Sequence, residues 1–154
     1  HLSKITGIPC MNFKETKGLR KYGKVVFLGA LYAGKVLGLK NVVNDIADNQ
    51  ELIVVTVGMV GPNDPQNIHY IRERLKNVIP SHLYDEQKIF HLQGAIDYSR
   101  MRIKHRLMMF FVNRRLSKLP RESLSVGSKT IVETYGKTID NVDFQTLTPL
   151  INCL

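Results

Sequence analysis

The chain is short of cysteine and of long apolar runs, and both shortages exclude functions. Cys10 and Cys153 are its two cysteines; they stand at opposite ends with no CxxC spacing. Neither a disulfide framework nor a cysteine metal site is readable from them, and a reducing cytoplasm is the expected compartment. The apolar runs are only a few residues long, well short of the roughly 18–20 that a membrane-spanning helix needs. The expectation is a soluble protein, at most peripheral at the inner face of the membrane. Internal repeats and low-complexity tracts are also missing. His69, His82, His91 and His105 show neither metal-ligand spacing nor a nucleophile partner, and Asp85, Glu86 and Asp97 make no paired-carboxylate site. The histidines therefore read as structural or surface residues. No metal is expected, no catalytic residue is assigned, and any chemistry is expected to belong to a bound cofactor.

Acid is missing from one long stretch. Residues 99–121 hold eight bases (Arg100, Arg102, Lys104, Arg106, Arg114, Arg115, Lys118 and Arg121) and no acid, whereas the other 14 bases nearly balance the 13 acids. The net charge of +9 is thus a local feature, and localised positive charge attracts anionic surfaces. The length of 154 residues and the 44% hydrophobic content suit one soluble domain with a sizeable core, taken here as 1–154.

What is present is a strand and helix alternation. Residues 24–28 are apolar, rich in β-branched and aromatic side chains, and flanked by Gly23 and Gly29, as in a strand buried on both faces. A turn at 30–34 follows. From Lys35 the period becomes helical, through Val36, Leu39, Val42, Val43 and Ile46. Residues 51–57 read as a second buried strand. Asp64 and Pro65 then cap and open a helix lined by Ile68, Ile71, Leu75 and Val78. Residues 88–93 form a further strand. This alternation predicts an α/β class with parallel pairing and right-handed crossovers. At the start, 1–7 reads as the last turn of a helix and 9–14 as a weak strand. Residues 101–116 read as a basic amphipathic helix with Ile103, Leu107, Phe110 and Phe111 on one face. Residues 121–143 read as a helical turn and irregular chain, and Leu147, Leu150, Ile151 and Leu154 mark a terminal helix.

Lys24-Val-Val-Phe-Leu-Gly-Ala-Leu-Tyr-Ala-Gly34, Glu51-Leu-Ile-Val-Val-Thr-Val-Gly58 and His91-Leu-Gln-Gly-Ala-Ile-Asp-Tyr98 together resemble the third, fourth and fifth strands of flavodoxin-domain proteins. The branch most similar contains the menaquinone-dependent protoporphyrinogen oxidases, in which a basic, aromatic-rich insertion follows the fifth strand, as 99–121 does here. The resemblance implies a three-layer sandwich with sheet order 2-1-3-4-5 and ligands at the carboxyl ends of the strands. It implies FMN as cofactor, flanked by Ala30, Leu31, Tyr32, Ala33 and Gly34 on one side and by Thr56, Val57, Gly58, Met59 and Val60 on the other. Gly94 and Tyr98 are implied as further contributors. Nothing in the sequence matches the family's first strand or its Thr-Gly-Asn-Thr-type phosphate loop, so the chain is expected to be N-terminally incomplete.

The function implied is an FMN-dependent oxidoreductase or electron carrier, of protoporphyrinogen-oxidase type with a quinone or other redox partner. The competing reading is a flavin-free interaction module working through its basic helix. For that helix, the plain expectation is a solvated segment packed on the core through Ile103 and Leu107. The sharper one is a surface made by Arg102, Arg106, Phe110, Phe111, Arg114 and Arg115 that meets anionic lipid or a redox partner. Nucleic acid is the least favoured partner, since no binding fold for it is recognisable.

Overall fold

The computed structural model describes residues 1–15, 18–32 and 34–154. Its centre is a parallel group of three strands: β1 (Lys24–Tyr32), β3 (Glu51–Gly58) and β4 (Ile89–Gln93). A two-residue strand, β2 (Lys35–Val36), turns back antiparallel on the end of β1, giving the sheet order β2-β1-β3-β4. The predicted third, fourth and fifth strands are therefore neighbours in the predicted order and direction. Leu52, Ile53, Val54, Val55 and Thr56 are all at most 3% exposed. This is why β3 reads as an unbroken apolar run: both of its faces are covered.

Helices supply those covers. On one face α2 (Leu39–Asp45) and α3 (Pro65–Lys76) pack Leu39, Val42, Ile71 and Leu75 onto Phe27, Leu52, Val54 and Ile89. On the other, Leu147 and Leu150 of the terminal 3-10 turn and α6 (Thr148–Ile151) meet Ile53 and Val55, with Leu2 of α1 (Leu2–Thr6) beside them. The result is a helix, sheet, helix sandwich of flavodoxin-like type. Asp64 caps α3 as its spacing predicts, its carboxylate accepting from the Asn67 amide at 2.7 Å.

Several expectations are corrected. β1 does not end at Leu28: backbone pairing of Gly29 with Thr56 and Ala30 with Val57 carries it to Tyr32. Residues 30–32 are consequently a strand end, and Gly34 lies at a turn before β2. Residues 35–36 are drawn into β2, so α2 begins at Leu39. Residues 9–14 form no strand; Phe13 instead packs against the first core cluster. It lies over Gly38, whose φ of 85° suits glycine and where a Cβ would stand 2.5 Å from the Phe13 ring. Residues 121–143 are more regular than predicted, with α5 (Val126–Thr134) and a strand, β6 (Thr138–Asp140), that pairs antiparallel with β5 (Ala95–Asp97).

Candidate functional site

Parallel strands bring their carboxyl ends to one edge of the sheet, and most of the implied cofactor residues are gathered there. Side chains alternate along β1, so Leu31 joins Phe27 in the core facing α2 and α3, while Val26, Leu28, Ala30 and Tyr32 share the opposite face. On that face the C-terminal helix covers Val26, but Leu28 remains 46% exposed and Ala30 is also exposed. Val57, opposite Ala30 in the ladder, is half-buried. The carboxyl half of this face is thus left open beside the hairpin. Gly34 closes the hairpin with φ 74°, against the Tyr70 hydroxyl. Ala33 lies outside the described residues.

The second predicted wall is tied to β4. The Gly94 amide donates to the Gly58 carbonyl at 2.8 Å, and the Gln93 side-chain amide donates to the Met59 carbonyl at 3.0 Å. Gly94 is buried, and a Cβ there would approach Val57 to 2.8 Å, so glycine allows this close approach of backbones. Met59 and Val60 continue as a half-buried bend toward the cap of α3. Gly58, Met59 and Gly94 are therefore held together at one edge by hydrogen bonds that single-residue patterns do not reveal, with Val60 next to Met59 in the chain.

Thr56 and Tyr98 are placed differently from what the resemblance implies. Thr56 is 1% exposed, with its hydroxyl 2.7 Å from His91 Nδ1, so its side chain is spent inside the protein. Tyr98 is buried, edge-on to Tyr135 at 5.4 Å between ring centroids. Burial raises its phenol pKa, with Tyr135 adding to the effect, and its buried hydroxyl has no hydrogen-bond partner among the described residues. The sequence gives His91 no role beyond that of a structural or surface histidine. Burial pushes its pKa down to about 4, Arg72 adds to the shift, and Nε2 has no partner among the described residues, so the ring is held neutral. Spacing alone gave no signal for it, because Thr56 and His91 meet only through the β3–β4 register.

Tyr32 links the strand edge to the basic helix α4 (Ile103–Leu116). Its hydroxyl lies 2.8 Å from His105 Nδ1 and 3.2 Å from the Met108 sulfur, and the His105 ring stands edge-on at 5.6 Å. Tyr32→Phe keeps the ring and deletes this link. Losing about 1 kcal/mol of hydrogen bonding should speed amide hydrogen exchange in α4 several-fold, and unchanged exchange would show the link to be idle. The predicted packing of α4 through Ile103 and Leu107 is not seen: these side chains are 83% and 55% exposed. Met108, Met109, Val112, Asn113 and Leu116 are the half-buried ones instead. Arg102 sits at the N-cap of α4, and Arg106, Phe110, Phe111, Arg114 and Arg115 are exposed along it.

Two cavities accompany these features. One of about 440 Å³ lies at the amino ends of β3 and β4, away from the predicted site, and is lined by Gln50, Glu51, His82, Tyr84 and Lys88. Lys24 and Lys88 both pair with Glu51 at 3.5 Å there, which gives its charges internal partners. The other, about 330 Å³, touches Leu31 and Gly34 and runs between the hairpin, α2 and α3 over Leu39, Ile71 and Leu75. We place the candidate site at the strand edge, because parallel α/β sheets expose backbone groups there. Among the described residues no cluster of three or more potential metal ligands occurs, and no helix is long and apolar enough to cross a membrane.

No curated protein and no solved structure matches the chain. Comparison with protein-family models matches residues 3–122 to the flavodoxin domain and does not single out the protoporphyrinogen-oxidase branch. That match spans all three parallel strands and the basic helix, and the chain belongs to the flavodoxin-domain family.

Proposed function

We propose that this chain flanks FMN with the carboxyl ends of β1 and β3 and acts in electron transfer, with a quinone or another redox partner as acceptor. The observation that carries this reading is the single edge at which 30–32, Gly34, 57–60 and Gly94 come together, beside the open face of Leu28 and Ala30. Such an edge suits a flat ring: Ala30, Gly58 and Gly94 keep side chains out of the way, and Tyr32, oriented by His105, offers an aromatic wall. Backbone amides at 58–60 would orient the ring and bias its electron affinity, and Val57 with Leu28 would exclude water from one side. Bound FMN would supply the hydride and electron chemistry that no side chain here provides. No Thr-Gly-Asn-Thr-type loop occurs in the 154 residues, so these residues account for the ring and leave the phosphate without its family anchor.

Oxidation of a protoporphyrinogen-type substrate is the finer form of this reading, supported by the position of the basic insertion after β4. The test is to titrate FMN with the protein. Saturable quenching of flavin fluorescence, reduced at least tenfold in affinity by Gly58→Val, is the expected result. Colourless protein that leaves the fluorescence unchanged would exclude the flavin reading. In that case the flavin-free interaction module stands, favoured by the exposed apolar face of α4.

A further inference from the structure

Helix α4 is apolar on two sides, and the structure covers only one. At 100° per residue His105, Met108, Met109, Val112 and Leu116 form one side, where Tyr32 touches His105 and Met108. Ile103, Leu107, Phe110 and Phe111, at i, i+4, i+7 and i+8, form the other, and they are 83%, 55%, 43% and 59% exposed. A contiguous apolar ridge left in solvent marks an interaction surface. No residue of α4 is buried, so the outward ridge stands on a helix that itself lies on the surface.

The charges around that ridge choose its occupant. Lys104 and Arg115 fall on one flank and Arg106 on the other, Arg114 lies toward the C-terminal end of the ridge, and no acid occurs anywhere in 99–121. Arg114 and Arg115 suit the negative end of the helix dipole, but Arg102 and Lys104 crowd its positive end, where no acid offsets them. External negative charge would relieve that repulsion. Bases on both flanks of a protruding phenylalanine and leucine ridge are the pattern of a helix lying in a lipid interface, with its long basic side chains reaching the headgroups.

We infer that α4 is a membrane-surface docking element, inserting Ile103, Leu107, Phe110 and Phe111 into an anionic bilayer with its bases on lipid headgroups. This inference is independent of flavin binding, since none of its groups lies at the strand edge. Docking through this face would hold the Tyr32 end of β1 close to the lipid, because His105 and Met108 of the same helix contact Tyr32.

Sedimentation of the full chain with vesicles tests it, using phosphatidylcholine alone and phosphatidylcholine mixed with phosphatidylglycerol. Binding is expected to the mixed vesicles and not to the neutral ones, and to weaken as salt rises. Each base near an anionic surface contributes about fivefold, so Arg106, Arg114 and Arg115 changed together to Gln should weaken binding about a hundredfold. Phe110→Ser with Phe111→Ser should also weaken it at least tenfold while circular dichroism stays unchanged, because both residues are exposed in the free protein. Failure to bind the mixed vesicles at low salt would overturn the inference. So would binding that survives the phenylalanine changes, or a stable dimer that those changes convert to monomer, since a second copy would then be the cover.

Discussion

Leu150→Ala is expected to lower the unfolding free energy by about 2–4 kcal/mol, although Leu150 belongs to a helix of only four residues. The side chain is 0% exposed and packs with Leu147 against Ile53 and Val55, themselves 0% exposed. So short a helix has little stability of its own, so its packing must hold it in place. This face of the sheet also has fewer buried apolar residues than the face under α2 and α3. Removing the Leu150 side chain leaves a cavity at the middle of the thinner layer. Urea unfolding of the variant should show a midpoint shifted down by the corresponding amount, with proteolysis beginning near 144–154. A loss below about 1 kcal/mol would mean that this layer does not cover β3 as described.

Acid sensitivity governed by His91 is the second large effect. The half-buried ring is held neutral, with its pKa lowered to about 4, while in the unfolded chain it titrates near its ordinary value of 6.5. Between those values the unfolded state binds the extra proton, so stability is complete above about pH 6.5 and falls as pH drops toward 4. The loss from pH 7 to pH 5 should be roughly 1–2 kcal/mol, after allowing for water screening of the partly exposed ring. His91→Gln removes the titrating group, so its stability should change less over this range than that of the parent. Parallel pH profiles for the two proteins would show that His91 is not the group responsible. The absolute stability of the variant does not decide the matter, because the Thr56 hydroxyl also loses its 2.7 Å partner.

Apolar runs at 25–28 and 52–55, and Ile89, Phe90 and Leu92 around His91, make β1, β3 and β4 legible, with turn residues between them. The Asp64–Pro65 start of α3 was legible because capping is a local interaction. What was misread depends on contacts distant in sequence. Gly29 looks like a strand terminator, yet pairing with Thr56 and the packing of Val36 above it carry β1 through to Tyr32. β6 is three residues long and exists through pairing with 95–97, about forty residues earlier. α5 contains Gly127, and the sequence suggests only a helical turn in this stretch before irregular chain around Tyr135 and Gly136, although Ser125 caps a nine-residue helix by accepting from the Ser128 amide at 3.2 Å.

The candidate site divides along the same line. Ala30, Leu31, Tyr32, Gly58 and Gly94 lie at the predicted strand edge because strand order sets that edge. The burial of Thr56 and Tyr98 follows from the β3–β4 register and from Tyr135, neither of which periodicity reveals. On α4 the spacing puts Ile103, Leu107, Phe110 and Phe111 on one face but does not fix its direction, because Met108, Met109, Val112 and Leu116 offer a second apolar face, and the inward choice is made by Tyr32 and the neighbouring structure.

The central claim is that the carboxyl edge of the sheet is where flavin binds, and backbone amide chemical shifts measured during an FMN titration test it most directly. The account predicts saturable shifts at Ala30, Leu31, Tyr32, Gly58, Met59 and Gly94, and none at Glu51, His82 or Lys88 around the amino-end cavity. Shifts confined to that opposite cavity, or no shifts anywhere at saturating FMN, would contradict it.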